Sequence, residues 1–325
     1  MNANGGPVCS LSPLPSQFTL MGTLNDNVPT YTGGLGTAVR ARPMTLGGRD
    51  VLVVAAGSAN TGALQIFFVD PSTGAVLDGT AIGTNSMPQP HISKVISLNG
   101  TQIGVRAMAM GDVNADGVPD IVAASDTHGV AFAFVGSVDA NGILSYSGEI
   151  PFPAGPGQSL SYGGGVAMGD LDGVPSDEVA VADRGTKKQN GGVFIYHYGA
   201  GTFSLTHTIS QPAGWVAIGD VTGDSSNDLV SCCASGAWVY PGPSFSNPVT
   251  ISASNRVGVG NVTGGAYLNT ILGNAGGATN AGVYNAPAST GELPVFTVAP
   301  LAGLSEAGST IWTLATSMGT DWRTY

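Results

Sequence analysis

Lysine and arginine are scarce in this chain: 10 among 325 residues, against 21 Asp and Glu, for a net charge of −11 and a pI near 4.4. A nucleic-acid surface needs a basic footprint, so no nucleic-acid partner is expected. Cysteine numbers only three, too few for a disulfide framework. Cys232 and Cys233 are adjacent on an apparent strand, Leu229 to Ala234, where neighbouring side chains point to opposite faces. One packed and one half-exposed thiol is the plain reading; a strained vicinal disulfide is the alternative. Cys9 has no visible partner. No apolar run reaches the ~18 residues of a membrane helix, so membrane insertion is not expected. Met1 to Pro15 lacks a basic segment followed by an apolar one and does not read as a signal peptide as it stands.

Catalytic signatures are also missing. The four histidines, His91, His128, His197 and His207, stand in no H-E-x-x-H pattern, and there is no G-x-S-x-G elbow or P-loop. Gly163-Gly164-Gly165 precedes a strand rather than a helix, so no phosphate cradle or other cofactor-binding motif is read. His197, in the run Val193 to Tyr198, reads as a surface or hydrogen-bonded strand histidine. No catalytic residue is assigned. Long helical periodicity is absent, while 50 Gly and 20 Pro punctuate the chain and 42% hydrophobic residues suffice for a core. One large all-β domain over residues 16–325, after a tail at 1–15, fits this composition.

What the chain does have is a loop dense in oxygen ligands. Met110-Gly111-Asp112-Val113-Asn114-Ala115-Asp116-Gly117-Val118-Pro119-Asp120-Ile121-Val122 reads as strand, tight loop, strand. Asp112, Asn114, Asp116 and Asp120 occupy loop positions 1, 3, 5 and 9. Gly117 at position 6 allows the sharp turn, and Val118 at position 7 offers its carbonyl. Ca²⁺ takes ~6–8 oxygen ligands of these kinds.

The stretch recurs, and internal repeats decide the architecture. Val166-Ala167-Met168-Gly169-Asp170-Leu171-Asp172-Gly173 runs on to Asp177-Glu178-Val179. Val216-Ala217-Ile218-Gly219-Asp220-Val221-Thr222-Gly223-Asp224 runs on to Asp228-Leu229-Val230. Val257-Gly258-Val259-Gly260-Asn261 runs on to Asn269-Thr270-Ile271, and a shortened copy leads to Asp50. The last loop positions, Asp50, Asp120, Glu178, Asp228 and Asn269, lie about 40–70 residues apart, room for four short strands each. Between Asp120 and Glu178 the predicted strands are Asp120–Ser125, Val130–Val135, Leu144–Ile150 and Gly165–Gly169. Repeats of four short strands predict a β-propeller.

The pattern resembles the FG-GAP/VCBS repeat, the family of the integrin α-subunit propeller and of many secreted bacterial and fungal propellers. The resemblance covers roughly residues 40–275. It implies a propeller of four-stranded blades whose cation loop joins the innermost strand to the second. The inner strands are then expected near Val39–Leu46, Val105–Gly111, Gly165–Gly169, Trp215–Gly219 and Arg256–Gly260. Thr310–Met318 would begin a sixth blade left incomplete by the chain, with Gln17–Gly22 and the following stretch supplying strands to close the ring; the alternatives are a five-bladed ring with a C-terminal extension, or part of a longer protein, and the sequence leaves all three open.

Two to three structural Ca²⁺ sites are expected. The first is Asp112, Asn114, Asp116, Val118 and Asp120. The second is Asp220, Thr222, Asp224, Ser226 and Asp228, where Thr222 is a weaker neutral ligand. The third is Asp170, Asp172, Ser176 and Glu178, whose position 5 is Val174; Asp177 would substitute if the loop slips by one. The Asn261 loop has no carboxylate and the Asp50 loop is too short, so neither is expected to bind. Millimolar extracellular calcium suits weak sites of this kind, and a secreted or surface-exposed module follows. Its protein or glycan partner would dock on the face opposite the cation loops. His128, Tyr162, Arg184, Lys187, Lys188 and Trp215 are the candidate contacts there. A lectin-like propeller, or the propeller portion of a secreted hydrolase or lyase, are the rivals. The sequons at Asn99 and Asn261 are glycosylation acceptors in a eukaryotic secreted protein.

Overall fold

The computed structural model describes residues 35–159, 161–186, 190–233 and 236–250, together with strands at 256–260, 269–273, 281–284 and 295–298. The described residues contain strands and turns and no helix. The expected strands at Gln17–Gly22 and Thr310–Met318, and the residues that would decide ring closure, lie outside the described residues.

Among the described residues, five four-stranded antiparallel sheets follow one another along the chain. The first contains β1 (Leu35–Leu46), β2 (Arg49–Ser58), β3 (Ala63–Val69) and β4 (Ile92–Val95). A small hairpin, β5 (Ser97–Leu98) and β6 (Thr101–Gln102), leads out of it. The second sheet is built on β7 (Ala107–Gly111), β8 (Asp120–Ser125) and β9 (Val130–Phe134). A separate hairpin, β10 (Gly136–Val138) with β11 (Leu144–Tyr146), interrupts it before β12 (Ile150–Pro151) pairs with β9. The third holds β13 (Tyr162–Gly169), β14 (Glu178–Asp183), β15 (Gly192–Gly199) and β16 (Thr202–Ile209). The fourth holds β17 (Trp215–Gly219), β18 (Asp228–Cys233), β19 (Gly236–Tyr240) and β20 (Val249–Thr250). The fifth holds β21 (Arg256–Gly260), β22 (Asn269–Gly273), β23 (Ala281–Tyr284) and β24 (Val295–Val298).

The predicted strand Leu144–Ile150 is therefore two elements. Ser147 breaks it: its N–H donates to the Val135 carbonyl at 2.8 Å and its hydroxyl accepts from the Val135 N–H at 2.9 Å. That turns β11 away from β9 and leaves Ile150–Pro151 to complete the sheet.

The first strand of each sheet packs beside the first strand of the next: β1 with β7, β7 with β13, β13 with β17 and β17 with β21. Small residues make this possible. A Cβ at Gly169 would lie 2.7 Å from Ile218 Cγ2, and one at Gly165 would lie 2.8 Å from the Trp215 Cα. Every residue of β7, β8, β13 and β14 is buried. Apolar residues fill the spaces between successive sheets: Phe68, Met108 and Phe134 between the first and second, Val122, Val179 and Phe194 between the second and third, Ala180, Ile195 and Leu229 between the third and fourth. Burying each large side chain stabilises the fold by about 1.5–3 kcal/mol.

Polar clamps hold the inserted hairpin to the first sheet. The fully buried Gln89 side chain donates to the Leu144 carbonyl and accepts from the Leu144 N–H, both at 2.9 Å. Lys94 Nζ reaches the Tyr146 and Ser147 carbonyls at 2.8 and 3.0 Å. Of the described cysteines, Cys232 is buried and Cys233 half-buried, and no disulfide joins them; Cys9 lies outside the described residues.

Candidate metal loops

The loops read from the sequence join the first strand of a sheet to the second in the second, third and fourth sheets. The register is the same each time: Gly111 pairs with Asp120, Gly169 with Glu178, Gly219 with Asp228, and in the fifth sheet Gly260 with Asn269. The position-9 side chain thus opens the second strand at a buried point; Asp120, Glu178 and Asp228 are all buried. In the first sheet the connection shrinks to Gly47-Gly48, both at positive φ, a two-residue hairpin turn. Asp50 there accepts from Thr45 Oγ1 at 3.0 Å.

Each buried acid organises its loop through the backbone. One oxygen accepts the N–H of position 2: Val113 to Asp120 at 2.7 Å, Leu171 to Glu178 at 2.8 Å, Val221 to Asp228 at 2.9 Å. The other oxygen reaches the segment after the third strand. The Gly136 N–H donates to Asp120 at 2.7 Å and the Gly242 N–H to Asp228 at 3.1 Å. In the third sheet the partner is a side chain instead, with His197 Nδ1 at 3.2 Å from Glu178 Oε1.

The position-1 acids cap the loop turns. Asp112 accepts from the Asp116 and Gly117 N–H groups at 3.1 and 2.8 Å, Asp220 from Gly223 and Ser225 at 2.6 and 3.0 Å, and Asp170 from Gly173 at 2.7 Å. Position 5 accepts the N–H of position 7 in two loops, Val118 to Asp116 at 2.8 Å and Ser226 to Asp224 at 2.9 Å. Val174 has no oxygen for this. Its own N–H instead donates to Asp172 at 2.8 Å.

Burial raises the pKa of Asp120 to about 7, helped by the nearby charges of Asp112 and Asp116 and opposed by the two N–H donors. Burial also pushes Glu178 and Asp228 upward. An all-oxygen set of three carboxylates and an amide suits a hard cation, and a divalent ion there would offset both the burial of Asp120 and the nearby charges of Asp112 and Asp116. Asp112, Asp116 and Asp120 do not each bring an oxygen within 4.8 Å of the others. Among the described residues, the group that meets this spacing is Asp172, Glu178 and His197. Calcium would therefore have to draw Asp112 and Asp116 inward, breaking the Asn114 Nδ2 to Asp116 bond of 2.9 Å.

Asp177 does not enter its own loop, as a one-residue slip would require. It reaches back to the preceding sheet. Its carboxylate accepts the Asp112 N–H at 2.6 Å and pairs with Arg42 at 3.2 Å, while its N–H donates to the Asp112 carbonyl at 2.8 Å. Asn227, also at position 8, donates to the Asp170 carbonyl at 2.7 Å. A Cβ at Gly111 would come within 2.6 Å of Asp177 Oδ2, so glycine there keeps room for the staple.

The candidate partner face divides. His128 and Arg184 are exposed. His128 Nδ1 lies 3.0 Å from Thr127 Oγ1 and 3.2 Å from Ser125 Oγ. Arg184 lies over Gly214, where a Cβ would sit 2.7 Å from its Nε. Trp215 is half-buried against Cys232 and Ala237. Tyr162 is not a surface residue. It is 2% exposed, its hydroxyl donates to Tyr196 Oη at 3.0 Å, and the Tyr196 hydroxyl donates to the Pro153 carbonyl at 3.1 Å. It opens β13, which begins three residues before the predicted strand start at Gly165. Lys187, Lys188 and the Asn261 loop lie outside the described residues. Asn99 is exposed in the β5–β6 turn at φ 51°.

No family model matches the chain, and no curated protein matches it. Among solved structures the chain is similar to one described as "Structure of Dos1 propeller", at 13% identity and a TM-score of 0.43. The likeness covers 72% of this chain and 52% of that one, so this chain spans about half the length of that relative.

Proposed function

We propose that this chain is a calcium-stabilised β-propeller of the FG-GAP/VCBS type that serves outside the cell as a binding module for a protein or glycan. The observation that carries the reading is the thrice-repeated buried acid at position 9. Each one ties the loop after a first strand to the strand end beyond it, and each faces exposed acids on the same loop. Five four-stranded sheets with adjoining first strands support the propeller, each sheet being a blade. Ca²⁺ acts at the Asp112 and Asp220 loops as a structural ion: it neutralises clustered carboxylates and pins each hairpin. The partner docks on the far face of the blades, where His128 and Arg184 are exposed on loops that follow second strands.

Thermal melting with and without chelator tests the metal. EDTA is expected to lower the melting temperature and millimolar Ca²⁺ to restore it. Binding at ~100 times Kd contributes about 2.7 kcal/mol. Asp116→Ala combined with Asp224→Ala removes most of that response, and a melting curve indifferent to EDTA sinks the calcium reading. A glycan array then separates the two ligand classes: hits abolished by Arg184→Ala with unchanged melting support a lectin, and a blank array removes it.

A further inference from the structure

We infer that Asp172, Glu178 and His197 form a site for a divalent transition metal of the zinc class. The inference goes beyond the calcium reading, because it gives the third loop a different ion and does not need calcium at the other two.

β14 and β15 are paired up to Val179–Tyr196. One step further along this antiparallel ladder, Glu178 faces His197. The same step faces Asp120 with Val135 in the second sheet, where Ile121 pairs with Phe134. In the fourth sheet it faces Asp228 with Pro241, since Leu229 pairs with Tyr240. Only the third sheet of these three sets a metal-ligating side chain opposite the buried acid. It is also the sheet whose loop has Val174 where the others have Asp116 and Asp224. An oxygen ligand has gone from position 5, and an imidazole has arrived from the third strand.

The geometry matches a small ion. The ligand atoms of Asp172, Glu178 and His197 all lie within 4.8 Å of one another. His197 Nδ1 and Glu178 Oε1 are 3.2 Å apart. Two ligands on one tetrahedral ion, with bonds of ~2.0–2.1 Å, stand about 3.3 Å apart. Glu178 keeps Oε2 on the Leu171 N–H, leaving Oε1 for the metal, and Asp172 has Oδ2 left after Oδ1 takes the Val174 N–H. Imidazole with two carboxylates is a zinc-class donor set, whereas calcium selects oxygen alone. Three protein ligands leave a fourth position for water. Of the three ligands, Asp172 is exposed and His197 lines an open cleft of about 440 Å³ with Ser176, Asn114 and Ala115, so solvent reaches two of them.

The test uses the full, untagged chain stripped of metal. Zn²⁺ is titrated by calorimetry and Co²⁺ by visible absorption. The expected result is one saturable Zn²⁺ site, and a tetrahedral Co²⁺ spectrum that Zn²⁺ abolishes. His197→Gln retains an amide to donate to Glu178 but removes the nitrogen ligand. Loss of an outer-shell partner alone costs about 10–100-fold in metal affinity, so loss of this direct ligand is expected to cost at least as much. His207→Gln, an exposed histidine of β16 outside the ligand set, leaves zinc binding unchanged. Absence of saturable Zn²⁺ binding, equal affinity in His197→Gln, or displacement of zinc by an equal concentration of Ca²⁺ overturns the inference. A chain that binds zinc through His197 but melts indifferently to EDTA and Ca²⁺ in the His197→Gln background upholds this site while refuting the calcium reading.

Discussion

At the end of β7 the chain lays out Asp112, Asn114, Asp116 and Asp120, three carboxylates and an amide. At the end of β13 it lays out Asp170, Asp172 and Glu178 on the same nine-residue frame, with a valine at position 5 and His197 leaning in from β15. Both loops rest on a buried acid that accepts the position-2 amide. They differ in where the charge is gathered. In the first loop the acids are bonded to backbone amides and held apart; in the third loop two acids and an imidazole converge. The frame and the ligand set are therefore separable. The position-9 acid builds the loop, while positions 3 and 5 and the strand opposite decide what the loop can hold.

The sharpest way to break the comparison is to remove the shared element. Asp120→Ala leaves the Val113 and Gly136 N–H groups without an acceptor in a buried setting, at about 1–3 kcal/mol per orphaned group. Urea unfolding is expected to show a loss of about 2–5 kcal/mol even without metal. A loss below about 1 kcal/mol would mean that the acid is dispensable to the frame.

Asp177→Ala comes next. It removes an acceptor from the Asp112 N–H and the pairing with Arg42, and about 1–3 kcal/mol is expected. Asn227→Ala, which deletes one neutral bond, should cost about 1 kcal/mol. Equal losses in the two variants would show that the charge of Asp177 adds nothing.

A pH series separates the loops electrostatically. Asp120 has a folded pKa of about 7, against roughly 3.9 unfolded. Between those values the folded chain holds the extra proton, so in chelator its contribution to stability falls as pH rises from about 4 to about 7. Calcium should flatten that decline, because an ion favours the charged carboxylate. Melting temperatures from pH 5 to 8, with chelator and with Ca²⁺, check both signs; matching slopes would count against a metal at Asp112–Asp120.

The smallest effect is expected from Val174→Asp, which restores the missing oxygen. Val174 is 49% exposed, so the metal-free change should stay within about 0.5 kcal/mol. What should appear is a new Ca²⁺-dependent rise in melting temperature. Its absence would show that position 5 is not what separates the two loops.

Much of the frame was legible in the sequence. The repeated Gly-Asp pairs sit where β7, β13 and β17 end, and Asp120, Glu178 and Asp228 open the second strands as their spacing implied. Local periodicity carries that information because each strand meets its neighbour in sequence. The rest depends on partners far along the chain. His197 looks ordinary within its strand and gains meaning only when the β14–β15 register sets it opposite Glu178. Asp177 reads as a spare ligand of its own loop, yet it bonds to a loop 65 residues earlier. Tyr162 looked like a loop aromatic because Gly163, Gly164 and Gly165 imitate a turn; the small residues instead admit a close neighbouring strand. Leu144–Ile150 has strand composition throughout, and composition does not say which strand it pairs with.

The position-8 bonds, Asp177 to Asp112 and Asn227 to Asp170, run in one direction, from each loop to the one before it. The boundaries of a repeat by sequence are therefore not the boundaries of a unit by mechanics. A repeat cut out between β13 and β16 takes Asp177 away from its predecessor and leaves the Asp170 carbonyl waiting for Asn227. Duplication or exchange of such repeats would have to carry a loop together with the eighth residue of its successor. The natural seam for shuffling sheets thus falls inside the loops, and a donor sheet grafted at strand ends arrives with one latch too many and one too few.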